Sequence, residues 1–326
     1  MYKTLLLPYM SRLKNFRKIT IFFAVFVTCY TGSKFNDALV HKSSLLNKTG
    51  RGSVELAMRS EDCWNKIGNS SVMNGIDLKN CGQALIPHDL FVPIFVMSRD
   101  RVSSLKRSLK SYRDTIKSPY EIIVLDHHST FPPMVEYLQY LSATQNISVF
   151  HLVEASWDAA LEEASQLIQD YLVQHPTAAF FVFTDQDIAF LRTAPDVLLY
   201  YAAVLRSCPE YNVVGPALQI SDIPLHYSGR SPKQDNKTVY EWESAFWTGV
   251  PSMATWNGIG YHVAIQPIDT TFAMYRRETK FTRLINPCLR AYAPYSAVHV
   301  DWYDDSSNLP ADKLHYVNKQ NGVNNW

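Results

Sequence analysis

Two carboxylates stand one residue apart at the end of an apolar run, Phe180-Phe-Val-Phe-Thr-Asp185-Gln186-Asp187. Burying an unpaired carboxylate is costly, so acids placed there face water, a cation or a ligand. A hard divalent cation held by such acids can in turn hold a diphosphate. Alternation along a strand sends Asp185 and Asp187 to the same side, so one can take a metal and the other a ribose or a water. Taken alone, the tripeptide also fits a strand-to-loop turn with two solvated acids. The surrounding elements decide between these readings.

Apolar runs at 90–97, 120–126, 147–154 and 178–184 alternate with helical patterns at 101–114, 134–143 and 157–175. Val102, Leu105, Leu109 and Tyr112 share one face of the first helical pattern. This alternation predicts a parallel sheet covered by helices on both faces. Pro93 slightly demotes the first run as a central strand. Beyond the acids, 197–208 reads as a helix, 211–220 and 263–278 as strand, and 297–305 leads into a polar tail. Residues 221–261 are rich in Pro, Gly, Trp and charge, which suits loops and short elements lining a site.

Ligands of an open parallel sheet bind at the carboxyl ends of its strands. Ser98 and Arg99 follow the first run and Asp126 ends the second, so these residues and Asp185 are the donor-binding candidates. Arg99 can make a bidentate contact, and Asp126 can accept hydrogen bonds from a nucleobase or ribose. Ordinary loop polarity is the other reading of each. His127 and His128 are not read as metal ligands, because adjacent side chains diverge and no third ligand lies at a suitable spacing.

Group transfer to a hydroxyl with inversion needs a base to accept the proton of the acceptor. Asp269, in Pro-Ile-Asp-Thr-Thr-Phe, is the first candidate for a catalytic base and Glu243 the second. Trp242 and Trp247 flank Glu243, and their faces suit the apolar side of a sugar ring, which makes them acceptor-binding candidates. Arg276 and Arg277 read either as diphosphate partners or as a solvated pair at a strand end.

The chain has 326 residues, 47% of them hydrophobic, with a formal net charge of +1, which argues against a large polyanion as the main partner. Lys3, Arg12, Lys14, Arg17 and Lys18 precede an apolar segment, Ile19 to Tyr30, that approaches spanning length only with its flanks. Basic residues before such a segment predict a cytosolic N-terminus and a lumenal remainder, the segment being a signal-anchor or a cleaved signal peptide. Asn47, Asn69, Asn146 and Asn236 each open a glycosylation sequon. Cys63, Cys81, Cys208 and Cys288 lie outside the apolar segment and allow two disulfides, with Cys63–Cys81 closing the shortest loop.

Six stretches in fixed order, FVPIFVMSRDRVSSLKRSL, YEIIVLDHHSTFPPMVEYL, FFVFTDQDIAF, VVGPALQISDIP, PIDTTFAMYRR and HVDWYDD, resemble the GT-A class of nucleotide-sugar glycosyltransferases, in a family 2-like branch. The resemblance spans about residues 90 to 320. It implies an α/β, GT-A-like (Rossmann-like), mostly parallel sheet with helices on both faces, preceded by an N-terminal anchor and a stem. The division that goes with it is a basic tail at 1–18, an anchor at 19–33, a lumenal stem at 34–88 and a catalytic domain at 89–326. Within that domain, 89–195 is the nucleotide-binding half and 196–326 the acceptor half. The resemblance further implies that Asp187, with Asp185, ligates Mn2+ (or Mg2+) and that His299 completes the metal shell.

The function so implied is a metal-dependent, inverting, hexosyltransferase-type glycosyltransferase in the Golgi or endoplasmic reticulum membrane. It would move sugar from a nucleotide-sugar donor to a hydroxyl on a glycan, glycoprotein or glycolipid, with no nucleic acid as partner. A sugar nucleotidyltransferase fits less well, since Met-Ser-Arg-Asp-Arg-Val-Ser-Ser after the first run lacks the glycines that cradle a triphosphate. The alternative of another class is a non-catalytic lumenal sugar- or nucleotide-binding relative.

Overall fold

The computed structural model describes residues 78–227, 229, 237–247, 252–281 and 288–319. The basic tail, the apolar segment and Cys63 lie outside the described residues, as do Asn47, Asn69 and Asn236. Among the described residues no helix is long and apolar enough to cross a membrane.

Strands β1 (Val92–Ser98), β2 (Tyr120–Asp126), β3 (Ser148–His151) and β4 (Phe180–Asp185) alternate with helices α1 (Val102–Thr115), α2 (Pro132–Thr144) and α3 (Trp157–Gln174). After β4 come the short β5 (Ile188–Ala189), α4 (Val197–Ser207), β6 (Val213–Pro216) and α5 (Val239–Ser244). The chain continues through β7 (Ser252–Trp256), β8 (Ile259–Ile265), β9 (Ala273–Arg276), β10 (Cys288–Ala291), β11 (Val298–His299) and α6 (Ala311–Lys319).

Nine strands form one sheet in the order β3-β2-β1-β4-β9-β6-β10-β8-β7, while β11 and β5 make a separate ribbon. The sheet is mostly parallel: β8 and β9 alone oppose the other strands. Period-2 alternation divides the core between its faces. Ile94, Val96, Val124 and Val182 pack with Leu105, Leu109, Leu138 and Leu198 of α1, α2 and α4. Phe95, Met97, Ile123, Leu125 and Phe183 pack instead with Ala160, Ala164 and Ile168 of α3. Helices therefore cover both faces, and β1, β2 and β4 read as unbroken apolar runs because neither of their faces meets water.

Some elements depart from the sequence reading. Strand β1 is central despite Pro93, lying between β2 and β4. Val92 donates across to Pro119 on the β2 side, so Pro93 faces the β4 side, where the ladder begins only at Ile94. The missing N–H therefore costs no rung. The stretch 263–278 is not one strand: it holds the end of β8, a turn, and β9. Trp256-Asn257-Gly258-Ile259 closes a β7–β8 hairpin with both central residues at positive φ. Asn-Gly is the strongest short hairpin signal a sequence carries, and it lies here inside a stretch read as loops. The polar tail contains α6.

Cys81 pairs with Cys208, with Cα atoms 5.5 Å apart, which corrects the Cys63–Cys81 expectation. The shortest loop did not decide the pairing, because Cys81 lies against the end of α4. The Thr255 N–H donates to the Cys81 carbonyl, Ala84 N–H donates to Ser207 Oγ, and Arg206 donates to the Leu85 carbonyl. Residues read as the end of a stem thus cover the β7 edge of the sheet, where a bare strand would be a pairing hazard. Cys288, in β10, is buried and is not part of that disulfide.

We predict that Cys208→Ala lowers the free energy of unfolding by about 2–5 kcal/mol, the usual loss when a native disulfide closing a long loop is removed. Denaturant unfolding measures this, and non-reducing peptide mapping of the wild type should recover the Cys81–Cys208 cross-linked peptide.

Candidate functional site

Parallel register places three sequence-predicted residues on one edge. Ser98 lies opposite Asp126, and Met97 lies opposite Asp185, so Ser98, Asp126 and Asp185 all stand at carboxyl ends of neighbouring strands. Ser98 Oγ and Asp126 Oδ1 are buried without a hydrogen-bond partner among the described residues, as is Arg99 Nε. Asp126 Oδ2 is occupied by His151 Nδ1 at 3.0 Å and by the Ser129 N–H at 3.4 Å. Buried polar groups are normally satisfied, so unmet acceptors and donors gathered at one sheet edge mark a place prepared for a polar ligand. His127, beside them, is buried with Nε2 3.0 Å from the Ala155 carbonyl, and burial lowers its pKa. His128 lies 3.0 Å from the Val153 carbonyl. Both imidazoles are thereby engaged with backbone.

Gln186, the middle residue of the acidic motif, has a part the sequence did not disclose. Its side chain accepts from the Arg99 N–H at 3.1 Å and donates to the Arg99 carbonyl at 3.0 Å. This two-way amide clamp fixes the backbone after β1 against the turn after β4. Asp100 extends the arrangement by accepting from the N–H groups of Thr130 and Phe131, at the start of α2.

The two acids of the motif diverge. Asp185 is still in the β4 ladder, its N–H donates to the Thr270 carbonyl at 2.7 Å, and its carboxylate accepts from Thr270 Oγ1. Asp187 lies in the turn beyond, where the β5–β11 ribbon pairs Ile188 with His299. The Val300 N–H donates to the Asp187 carbonyl at 2.8 Å. That ribbon brings His299 Nε2 to 3.5 Å from Asp187 Oδ1, an oxygen that is buried without a hydrogen-bond partner. His299 is stacked on Trp302, with ring centroids 4.5 Å apart. Burial pushes the Asp187 carboxyl above its ordinary pKa, against the pull of His299.

Among the described residues no group of three His, Cys, Asp or Glu side chains gathers to hold a metal. Asp185 stands apart from the other two: Thr270 holds Asp185 in the sheet, and the ribbon turns Asp187 to His299. The Asp187–His299 pair does suit a Mn2+ or Mg2+ ion. Such ions commonly take few protein ligands and complete their shells with substrate phosphates and water. The unmet Asp187 oxygen facing an imidazole nitrogen is the kind of donor pair that a cation would satisfy.

Behind this pair lies a buried network that the sequence reading missed. Arg101 donates to both Asp301 oxygens and to Ser104 Oγ, and it lies 3.4 Å from Asp304. Lys313 of α6 donates to Asp301 at 3.0 Å. Asp312, its neighbour, accepts from the Ser103 N–H and hydroxyl at the start of α1. Burial opposes the charge on Asp301, but Arg101 and Lys313 outweigh it and hold that carboxyl below its usual range. Asp304 goes the other way, pushed up to about 6 by burial and by the neighbouring Asp301.

After residue 196, strand direction sorts the candidates. Strand β9 runs against β4, so Ala273 lies opposite Phe183 and Arg276 opposite Phe180. Asp269, before β9, is therefore near the Asp185 end of the sheet, half-buried and accepting from the Thr270 N–H. Phe272, between them, is buried at φ 56°, a strained backbone of the kind found at functional sites. Arg276 and Arg277 fall at the opposite end, which corrects both readings of that pair. Arg276 donates to the carbonyls of Leu205, Cys208 and Tyr211 at the end of α4, and Arg277 to those of Leu172, His175 and Ala178 at the end of α3. They are helix caps.

Glu243 is buried in an ion pair with Arg290 and accepts from the Leu218 N–H. Arg290 also donates to the Pro267 carbonyl at 2.8 Å and lies over the Phe246 ring. The carboxylate is thus committed to holding α5 against β10 and the segment that leads to Asp269, a use that competes with its reading as a base. Trp247 exposes part of its ring while its Nε1–H donates to the Leu218 carbonyl at 3.1 Å. Trp242 is half-buried.

No protein-family sequence profile matches this chain. No curated protein matches it either. Among solved structures it is similar to GalNAc-T7 with UDP, GalNAc and Mn2+ (12% identity, TM-score 0.39, covering 71% of this chain and 45% of that one). It is also similar to the mannosyltransferase PcManGT from Pyrobaculum calidifontis with GDP-Man and Mn2+ (16%, 0.33, 52% and 47%). A third is S. aureus TarS 1–349 with UDP-GlcNAc (15%, 0.32, 57% and 45%). The chain spans about half the length of these structures.

Removing the charge of Asp301 leaves buried Arg101 and Lys313 with only the more distant Asp304 as counter-charge. We predict that Asp301→Asn lowers stability by about 3–5 kcal/mol at neutral pH, measured by denaturant unfolding. Because its folded pKa is depressed, the contribution of Asp301 is present above the unfolded value of 3.8 and is lost as pH falls below it.

Proposed function

We propose that this chain is a metal-dependent glycosyltransferase that moves a sugar from a nucleotide-sugar donor to a hydroxyl of a glycan, glycoprotein or glycolipid, with inversion. The observation that carries this reading is one sheet edge with two kinds of unmet demand. Ser98 Oγ, Asp126 Oδ1 and Arg99 Nε lack partners at the ends of β1 and β2, and Asp187 Oδ1 lacks one beside His299 beyond β4. The first group suits the hydroxyl-rich, hydrogen-bonding face of a nucleoside. The second suits a cation and the diphosphate joined to it.

In this reading Asp187 and His299 hold Mn2+ or Mg2+, which when bound stabilises the charge that develops on the departing diphosphate. Ser98 and Asp126 take the nucleoside, and Gln186 keeps the Arg99 backbone in register with the acids. Asp185 lines the donor side and is linked through Thr270 to Asp269. Asp269 accepts the proton of the acceptor hydroxyl as the new bond forms on the face opposite the leaving group. Trp247, with its partly exposed ring, and Trp242 offer apolar faces to the acceptor sugar. The basic tail and apolar segment at the N-terminus support a Golgi or endoplasmic reticulum anchor with this domain lumenal.

Purified protein incubated with a panel of nucleotide sugars should release nucleoside diphosphate from one donor with manganese and not with chelator. Asp187→Asn should remove that release while leaving the unfolding transition in place. Release that persists in Asp187→Asn, or that ignores chelator, contradicts the assignment of the metal. With acceptor present, Asp269→Asn should lower kcat by about 10²–10⁴-fold with little change in donor KM. An unchanged kcat excludes Asp269 as the base.

A further inference from the structure

The edge of the sheet opposite β7 is formed by β3, which pairs only with β2 among the described residues. Its neighbourhood is unusually apolar for an edge. Phe150 is 43% exposed, Val153 78% and Tyr140 48%. Between α2 and β3 lies a groove of about 290 Å³, lined by Leu138, Gln139, Ser142, Ala143, Val149 and His151. At four residues β3 is a short edge strand, yet its open side has no strand partner among the described residues, and an uncovered edge invites pairing with another chain.

An exposed residue lies in the chain between the groove-lining Ala143 and Val149. Asn146 ends the α2–β3 turn two residues before the strand, with φ 52° and its side chain in solvent. It opens the sequon Asn146-Ile147-Ser148. Left-handed φ on a non-glycine residue projects this side chain from a tight turn, and Asn is among the few residues that tolerate it. Ile147 between them is buried, which anchors the turn and holds Asn146 outward.

We infer that Asn146 carries an N-linked glycan whose first sugars lie along the β3 edge and its groove, and so shield the strand from edge-to-edge pairing. The inference rests on the lumenal placement proposed above. The modifying reaction joins the Asn146 amide nitrogen to the anomeric carbon of an oligosaccharide carried on a polyisoprenyl diphosphate. The carbon–oxygen bond to that diphosphate breaks, the lipid diphosphate leaves, and the amide nitrogen gives up one proton. The groove offers what a sugar face uses: Leu138, Ala143 and Val149 as apolar floor, with Gln139, Ser142 and His151 as hydrogen-bonding rim. The glycan does for the β3 edge what the Cys81 segment does for the β7 edge.

The test is peptide mapping of the full chain expressed in cells with a secretory pathway, before and after peptide N-glycosidase, which converts each occupied Asn to Asp. The expected result is occupancy at Asn146, abolished in Ser148→Ala, a change that leaves Asn146 in its turn. The monomer fraction of Ser148→Ala, measured by sedimentation, should fall below that of wild type at equal concentration. An unmodified Asn146 in a chain glycosylated at Asn47, Asn69 or Asn236 overturns the inference and leaves the lumenal placement standing. A chain with no occupied sequon overturns both. Occupancy at Asn146 with no change in self-association when the glycan is lost overturns the shielding role.

Discussion

The buried cluster of Arg101, Asp301 and Lys313 is the constraint on which the site depends. Three segments remote in sequence meet there: the start of α1, the turn after β11, and α6. A carboxylate held between two cations in a dry interior is intolerant of loss, since any missing partner leaves a buried charge uncompensated. That intolerance fixes the position of residues 299–304. The β11 strand immediately before Asp301 pairs with β5, and through this pairing His299 is set beside Asp187. The Asp187–His299 geometry is therefore inherited from an ion cluster that need not touch any ligand. Hydrogen bonds donated by the Ser104 hydroxyl to Asp301 and by the Ser103 N–H to Asp312 lock the same corner.

A second constraint is the insertion of β9, reversed, between β4 and β6. One antiparallel strand decides which residues after 196 reach the sheet edge that carries Asp185. Residues before β9 arrive beside Asp185, and residues after it are carried to the far edge. Asp269 and Thr270 thus join the site while Arg276 and Arg277 cap helices. The same logic explains Glu243. Its Arg290 partner sits in β10, and the pair braces the segment at Pro267 that delivers Asp269.

Much of the architecture was legible because local pattern and burial agree in the first half of the chain. Runs such as Tyr120–Asp126 are apolar on both faces, and the 3.6-residue spacing of Val102, Leu105, Leu109 and Tyr112 leaves no other reading. Strand ends then locate Ser98, Asp126 and Asp185 with no further information. What was not legible depends on partners distant in the chain. Pairing of Cys81 with Cys208 requires knowing that the segment before β1 lies on α4. The roles of Arg101, Asp301 and Lys313 require α6 to dock, and α6 docks through polar Asp312 and Lys313 while Leu314 and Val317 stay exposed, so no buried apolar face announces it. Gln186 read as a spacer because its hydrogen bonds are to the backbone of Arg99, which no side-chain pattern discloses. The β7–β8 hairpin is a different case, since Asn257-Gly258 signalled it and the polar surroundings obscured it.

Asp187 and His299, held by the ion cluster behind them, are proposed as the two protein ligands of one divalent cation. Anomalous scattering from crystals grown with manganese and a nucleoside diphosphate tests this most directly. The expected result is a single manganese peak within about 2–2.5 Å of Asp187 Oδ1 and His299 Nε2, with diphosphate oxygens completing its shell. A nucleotide bound at the ends of β1 and β2 with no manganese between Asp187 and His299, or with the metal on other residues, would contradict it.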